Sequence, residues 1–215
     1  MDIKEVYKRR FSTDIEFRNA MWSILCRDYF QKWVSKDSKI LEIAAGYCEF
    51  INHIQAGKKF ALDINPDVKD FADPDVEVII GESEKINPIK DNSIDVVFVS
   101  NFFEHISKAS IDATLKEIYR ILIPNGKLII LQPNIRFCYK DYWMFFDHIT
   151  PIDDRALVEI LEITRFKMIK VLPQFLPYST KSALPKSLLL IKLYLHMPLI
   201  WKFFGKQALI ICEKK

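Results

Sequence analysis

Lys39-Ile-Leu-Glu-Ile-Ala-Ala-Gly46 is an apolar run that ends in a loop of small residues, and Lys59-Phe-Ala-Leu-Asp63 is a second run that ends in a lone acid. Short apolar runs bounded by turn signals read as buried strands. Between them, Glu49 to Gln55 reads as a helix opened by the tight turn. The unit is therefore strand, turn, helix, strand, with a carboxylate at the tip of the second strand. A carboxylate there can accept hydrogen bonds from both hydroxyls of a ribose lying across the two strand ends. The stretch predicts a site for an adenosine-type cofactor.

The loop discriminates among such cofactors. A dinucleotide fingerprint needs small residues at three places, which fall here on Ala44, Gly46 and Glu49, and Glu49 is far too large. A phosphate-binding P-loop needs a Gly-Lys-Ser/Thr that does not follow. Glu42, at the head of the loop, would repel a diphosphate and suits a positively charged amino acid moiety. Gly46 sits where backbone must approach a cofactor most closely.

The spacing resembles motif I of the class I S-adenosylmethionine-dependent methyltransferases, acid-x-Gly-x-Gly-x-Gly, written here Glu42-Ile-Ala44-Ala-Gly46-Tyr-Cys48. Gly81-Glu82-Ser83 is similar to the family's Gly-Asp-Ala segment. Pro88 to Ser100 resembles its entry to strand four, and Asn101-Phe-Phe-Glu104-His105-Ile106 resembles the turn of the type 11 members. Leu115 to Leu131, with Pro124-Asn125-Gly126-Lys127 between helix and strand, resembles the hinge into strand five. The likeness covers about residues 38–133. It implies S-adenosylmethionine as cofactor, with Asp63 on the ribose, Ile64 on the adenine face, Glu82 and Ser83 near the adenine, and Glu42 near the amino acid end. Ala44 and Gly46 would form the loop, and Asn101 the wall after strand four.

Strands expected at about 39–44, 59–63, 76–80, 94–99 and 127–132 alternate with helices, which predicts an α/β, Rossmann-like, mostly parallel sheet with helices on both faces. Ligands of such sheets sit at the carboxyl ends of the strands, which puts Gly46, Asp63, Glu82 and Asn101 around one crevice. Two further strands, at about 166–172 and 208–212, would complete seven, and the resemblance implies that the last runs antiparallel. The chain reads as one domain. Residues 1–37 form an N-terminal helical segment, 38–133 the cofactor-binding core, and 134–215 the acceptor side and C-terminal part. Thr13-Asp-Ile-Glu16 has the capping-box pattern for a helix through about Val34. Lys8-Arg9-Arg10 before it could touch a ligand carboxylate or phosphate, or be simply solvated.

A net charge of +3 and a pI near 8.5 are too mild for a nucleic-acid footprint. The four scattered cysteines have no metal-ligand spacing, so no metal is expected and reduced thiols in a cytoplasmic protein are. The N-terminus has charged residues and no apolar signal-like core.

Methyl transfer from a sulfonium is an in-line displacement, so most of its catalysis is positioning, and a base is needed only where the acceptor must lose a proton. His148 beside Asp147 is the base candidate, the acid orienting the imidazole; the alternative is a structural Asp-His pair. His105 reads as support for its turn, and His53 and His196 as surface residues. The aromatic run at 137–146 suggests either an acceptor pocket or core beneath a lid. Leu184 to Phe204 is apolar but interrupted by Lys186, Lys192, Pro198 and Lys202, so it reads as a helix pair capping the cleft or as a segment lying on an anionic membrane surface. Trp143 to Gln207 is similar to small methyltransferases among glycan-assembly enzymes, which implies a sugar or lipid-linked small-molecule acceptor and O-methylation. Two alternatives stand beside this reading: a non-catalytic interaction or membrane-docking module that keeps the fold, and an NAD-linked oxidoreductase.

Overall fold

β1 (Lys39–Ile43) is buried at every position after its first, as a strand covered on both faces must be. In the computed structural model, which describes residues 14–178 and 186–215, it lies between β2 (Lys58–Asp63) and β4 (Ile94–Ser100), parallel to both. β3 (Val76–Ile80) extends the sheet beyond β2, and β5 (Leu122–Pro133) lies beyond β4. With β6 (Phe166–Leu172) and β7 (Gln207–Lys214) the order is β3-β2-β1-β4-β5-β7-β6. β7 runs antiparallel to both its neighbours. All seven expected strands form, and the last is the antiparallel one. The strand order reverses between β1 and β4, so their carboxyl ends open the crevice in which such sheets bind ligands.

Side chains alternate across the sheet with a period of two. Ile40, Val96, Phe98 and Ile129 face one core, shared with α1 (Ile15–Asp28), α2 (Glu49–His53), α6 (Leu188–Leu195) and α7 (Pro198–Phe204). Leu41, Val97, Val99 and Ile130 face the other, shared with α3 (Lys108–Ile121) and α5 (Asp154–Ile163), while the short α4 (Ile135–Tyr142) follows β5. Phe50 of α2 stacks on Phe98 of β4 with ring centroids 3.6 Å apart and planes 12° apart. Burying such a ring is worth about 1.5–3 kcal/mol, and here it seats the helix that follows the crevice loop.

Three boundaries differ from the sequence reading. α1 stops at Asp28, and a 3-10 turn over Phe30–Trp33 replaces its expected last turns. Tyr29 and Phe30 are both buried in the first core, and the chain leaves the helical path to place them there. Asp14 stands at the N-cap position with φ 72° and makes no side-chain cap hydrogen bond, so the described helix opens one residue later than expected. Thr13 and Lys8-Arg9-Arg10 lie outside the described residues. The expected hinge at Pro124–Gly126 is the start of β5, beside a register shift against β4.

Candidate functional site

The loop after β1 keeps a glycine-like backbone at each glycine position of motif I. Ala44, Gly46 and Cys48 have φ of 55°, 52° and 56°. This is the left-handed region, open to glycine and costly for other residues. Hydrogen bonds fix the curve: Ala45 N–H donates to Leu62 O at 3.2 Å, and Cys48 N–H donates to Ala45 O at 2.7 Å. Gly46 N–H donates to Asp63 Oδ2 at 2.8 Å.

Asp63 ends β2 at the crevice and is 7% exposed. Its other oxygen accepts the Asn65 N–H at 2.8 Å. Burial raises its pKa, and the amides of Asn65, Gly46 and Ile64 oppose that shift. An ionised carboxylate has about four lone-pair sites, so acceptor capacity remains beyond these amide bonds. Ile64 beside it is 56% exposed, an apolar surface at the crevice rim. These features fit an adenosine-type cofactor: a carboxylate for ribose, an apolar face for a base, and a loop curved for close approach.

Other expected cofactor residues are placed differently. Glu42 is 5% exposed, and its Oε2 accepts the Ile51 N–H at 3.0 Å, satisfying an otherwise open amide in the first turn of α2. Burial raises its pKa well above the ordinary value, the Ile51 amide opposes this, and Glu49 and Asp63 add to it. The carboxylate thus braces the loop from below. Ser83 is also buried, and its hydroxyl pairs with Thr114 Oγ1 of α3 at 2.7 Å, which ties the β3 loop to the helix layer. Glu82 beside it is exposed, and Gly81 N–H donates to Asp63 O at 3.0 Å, which keeps this loop beside the acid. Asn101, at φ 47°, follows β4 and accepts a hydrogen bond from Gln207 Nε2 at 3.0 Å.

Arg18 was not anticipated. It reaches from α1 into the loop region, 5% exposed, with a hydrogen bond to Glu49 Oε1 at 2.7 Å and its guanidinium 5.0 Å from the Tyr47 ring centre. The signal was Glu49 itself, since a half-buried acid where a small residue was wanted calls for a cation.

On the acceptor side, residues distant in sequence converge. His105 Nδ1 lies 3.2 Å from Asp147 Oδ2. Sequence adjacency had assigned that acid to His148; the geometry gives His105 an Asp147 partner. His148 is buried, with its ring 4.8 Å from those of His105 and Tyr142. Glu104 is 1% exposed and accepts from Gln132 Nε2 at 2.7 Å, while its carbonyl accepts the N–H groups of Ile149 and Thr150. Burial raises the Glu104 pKa, and His105 and Gln132 oppose this. Glu104, His105 and His148 bring one ligand atom each within 4.8 Å of one another, a grouping that no spacing announced. The arrangement can accept and hold a proton beside the end of β4. The aromatic run does not close into an apolar pocket: Tyr142 is its one buried ring, and Phe146 is 91% exposed.

Residues 41–130 match the family model for the type 11 methyltransferase domain. That stretch is a methyltransferase domain. The family's cofactor is S-adenosylmethionine, which agrees with the crevice just described. The methyltransferase domain is 35% identical over 95 residues to the mitochondrial 2-methoxy-6-polyprenyl-1,4-benzoquinol methylase of Dictyostelium discoideum, covering 41% of this chain and 29% of that protein. It is 30% identical over 105 residues to the demethylmenaquinone methyltransferase of Lactobacillus johnsonii, covering 42% of each. The matched stretch spans less than half the length of these curated relatives. In fold, the chain is similar to a SAM-dependent methyltransferase from Archaeoglobus fulgidus, with a TM-score of 0.70 and 19% identity over 95% of this chain and 99% of that one.

Proposed function

We propose that this chain transfers a methyl group from S-adenosylmethionine to a hydroxyl of a small, sugar- or lipid-linked acceptor. The observation that carries the reading is the left-handed loop tied by Gly46 N–H to the buried Asp63 at the point where strand order reverses. Bound there, the cofactor would supply an electrophilic methyl group on sulfur. Asp63 accepts the ribose hydroxyls, Ile64 covers one face of the adenine, and the loop backbone borders the amino acid portion. His105 takes the proton from the acceptor hydroxyl, and Asp147 holds the imidazole in place and stabilises it once charged. Oxygen is favoured because the cluster offers a base, which an amine free of its proton would not need. The benzoquinol substrate named for the Dictyostelium relative carries a polyprenyl tail, which supports a lipid-linked acceptor. The reaction is set in the cytoplasm, where thiols such as the four buried cysteines stay reduced.

The test is calorimetric titration with S-adenosylmethionine, S-adenosylhomocysteine and NAD. Transfer of labelled methyl to lipid-linked sugars, free glycans and quinols follows. Binding of both sulfur compounds but not NAD, and label in one acceptor class, is the expected result. Binding of NAD would favour an oxidoreductase. A folded protein that binds none of the three would leave the non-catalytic module.

A further inference from the structure

The segment after β6 carries a composition and an exposure pattern that the methyl-transfer site does not use. From Pro173 to Lys206 the chain contains no acid and five lysines, whereas the whole chain has a net charge of only +3. Within this stretch α6 and α7 are anchored from one side. Leu195 and Trp201 are buried in the first core, Trp201 Nε1 donates to Tyr194 O at 2.7 Å, and Tyr194 OH donates to Phe175 O. Their other side is apolar and open: Leu189, Leu190, Leu193, Leu199, Phe203 and Phe204 are 45–82% exposed. Lys192 and Lys202, also exposed, stand among them.

Single exposed leucines are ordinary, but a cluster of this kind on two adjoining helices marks an interaction surface. A second copy of the chain is a poor occupant. A two-fold interface sets the same patch against itself, so lysines would meet lysines with no acid in the segment to answer them. A lipid leaflet with anionic headgroups answers both features, taking the apolar side chains below the headgroups and the lysines at their level. No helix among the described residues is long and apolar enough to cross a membrane.

We propose that the outer side of α6 and α7 docks on an anionic lipid surface, in the plane of the interface. The proposal does not depend on the methyl-transfer reading. It is tested by flotation of the full chain with vesicles of phosphatidylcholine alone and with added phosphatidylglycerol. The protein is expected to float with the anionic vesicles, at least about tenfold less with the neutral ones, and less as salt rises. Leu199→Glu with Phe203→Glu should abolish flotation. Lys192→Glu with Lys202→Glu should remove the anionic preference. All four positions are exposed, so far-UV circular dichroism and melting should match wild type. No flotation at low salt would overturn the proposal, as would flotation unchanged by the Leu199 and Phe203 pair. A wild-type dimer in light scattering that the same pair converts to monomer, without vesicle binding by either, would assign the surface to a second copy instead.

Discussion

Asp63→Ala is the sharpest perturbation of the cofactor site. In the free protein its carboxylate accepts Gly46 N–H and Asn65 N–H, both at 2.8 Å. Hydrogen bonds to a charged group are worth about 1.5–3 kcal/mol each, so losing two from the ribose weakens binding by roughly 3–6 kcal/mol. At about 1.4 kcal/mol per tenfold, that is a loss of about 10²- to 10⁴-fold in affinity. The cost to folding is smaller. The two orphaned amides are only part-buried, and removing a carboxylate whose pKa burial has raised returns part of the loss. The assay is titration with S-adenosylhomocysteine, beside far-UV circular dichroism and a melting curve without ligand. Asp63→Asn keeps one acceptor oxygen and should fall between wild type and alanine. If Asp63→Ala melts cooperatively near the wild-type temperature and binds within about threefold of wild type, the ribose assignment is wrong, and with it the orientation of the cofactor.

Three further outcomes are expected. Ala44→Gly relieves a left-handed residue and should stabilise the fold by about 1 kcal/mol, raising the melting temperature by about 2–4 °C; a fall would show that Ala44 is not strained. Glu42→Gln keeps an acceptor for Ile51 N–H and removes a buried charge. Because the Glu42 pKa is raised on folding above its ordinary 4.5, the folded state binds more protons than the unfolded one, and stability is lost as pH rises through the folded value. The variant should therefore melt higher than wild type at pH 8, with a gap that closes toward pH 4; an equal gap at both would refute this. Once an acceptor is found, Asp147→Asn should lower kcat by about tenfold with the cofactor KM within about twofold, and His105→Asn should lower kcat by about 10²-fold or more. A change in KM alone would make the pair structural.

The strands were legible because each is an apolar run with its own turn signals, and Asp63 because a lone acid ended one of them. Directions of side chains were less so. Glu42 shares the parity of Ile40, and Ile40 faces the side that α2 covers, so the period of two already turned its carboxylate under the helix. Ser83 came from a local resemblance that gave its neighbourhood but not its partner, Thr114, which lies 31 residues away. The pairing of Asp147 with His105 was out of reach, since it depends on how the chain after β5 folds back. There the segment Ile135–Tyr142 ends with Tyr142 OH on Thr150 O, and the amides of Ile149 and Thr150 clamp Glu104 O. Adjacency in sequence pointed to His148 because nothing local shows a contact across 42 residues.

The two missing glycines of the loop bear on whether the fold still serves a ligand. A non-glycine residue held in the left-handed region costs on the order of 1–3 kcal/mol, so Ala44 and Cys48 together store strain that is a sizeable part of the roughly 5–15 kcal/mol that keeps a domain folded. A loop with no ligand to approach could relax toward ordinary turn geometry and recover that energy. Here it does not relax. Cys48 is buried, its amide is bound to Ala45 O, and Asp63 holds the Gly46 amide from the neighbouring strand. Strain that the surroundings maintain is characteristic of binding sites. The replacements therefore argue for a loop still shaped to receive a cofactor, with Asp63 as its brace, and against a fold kept only as a scaffold.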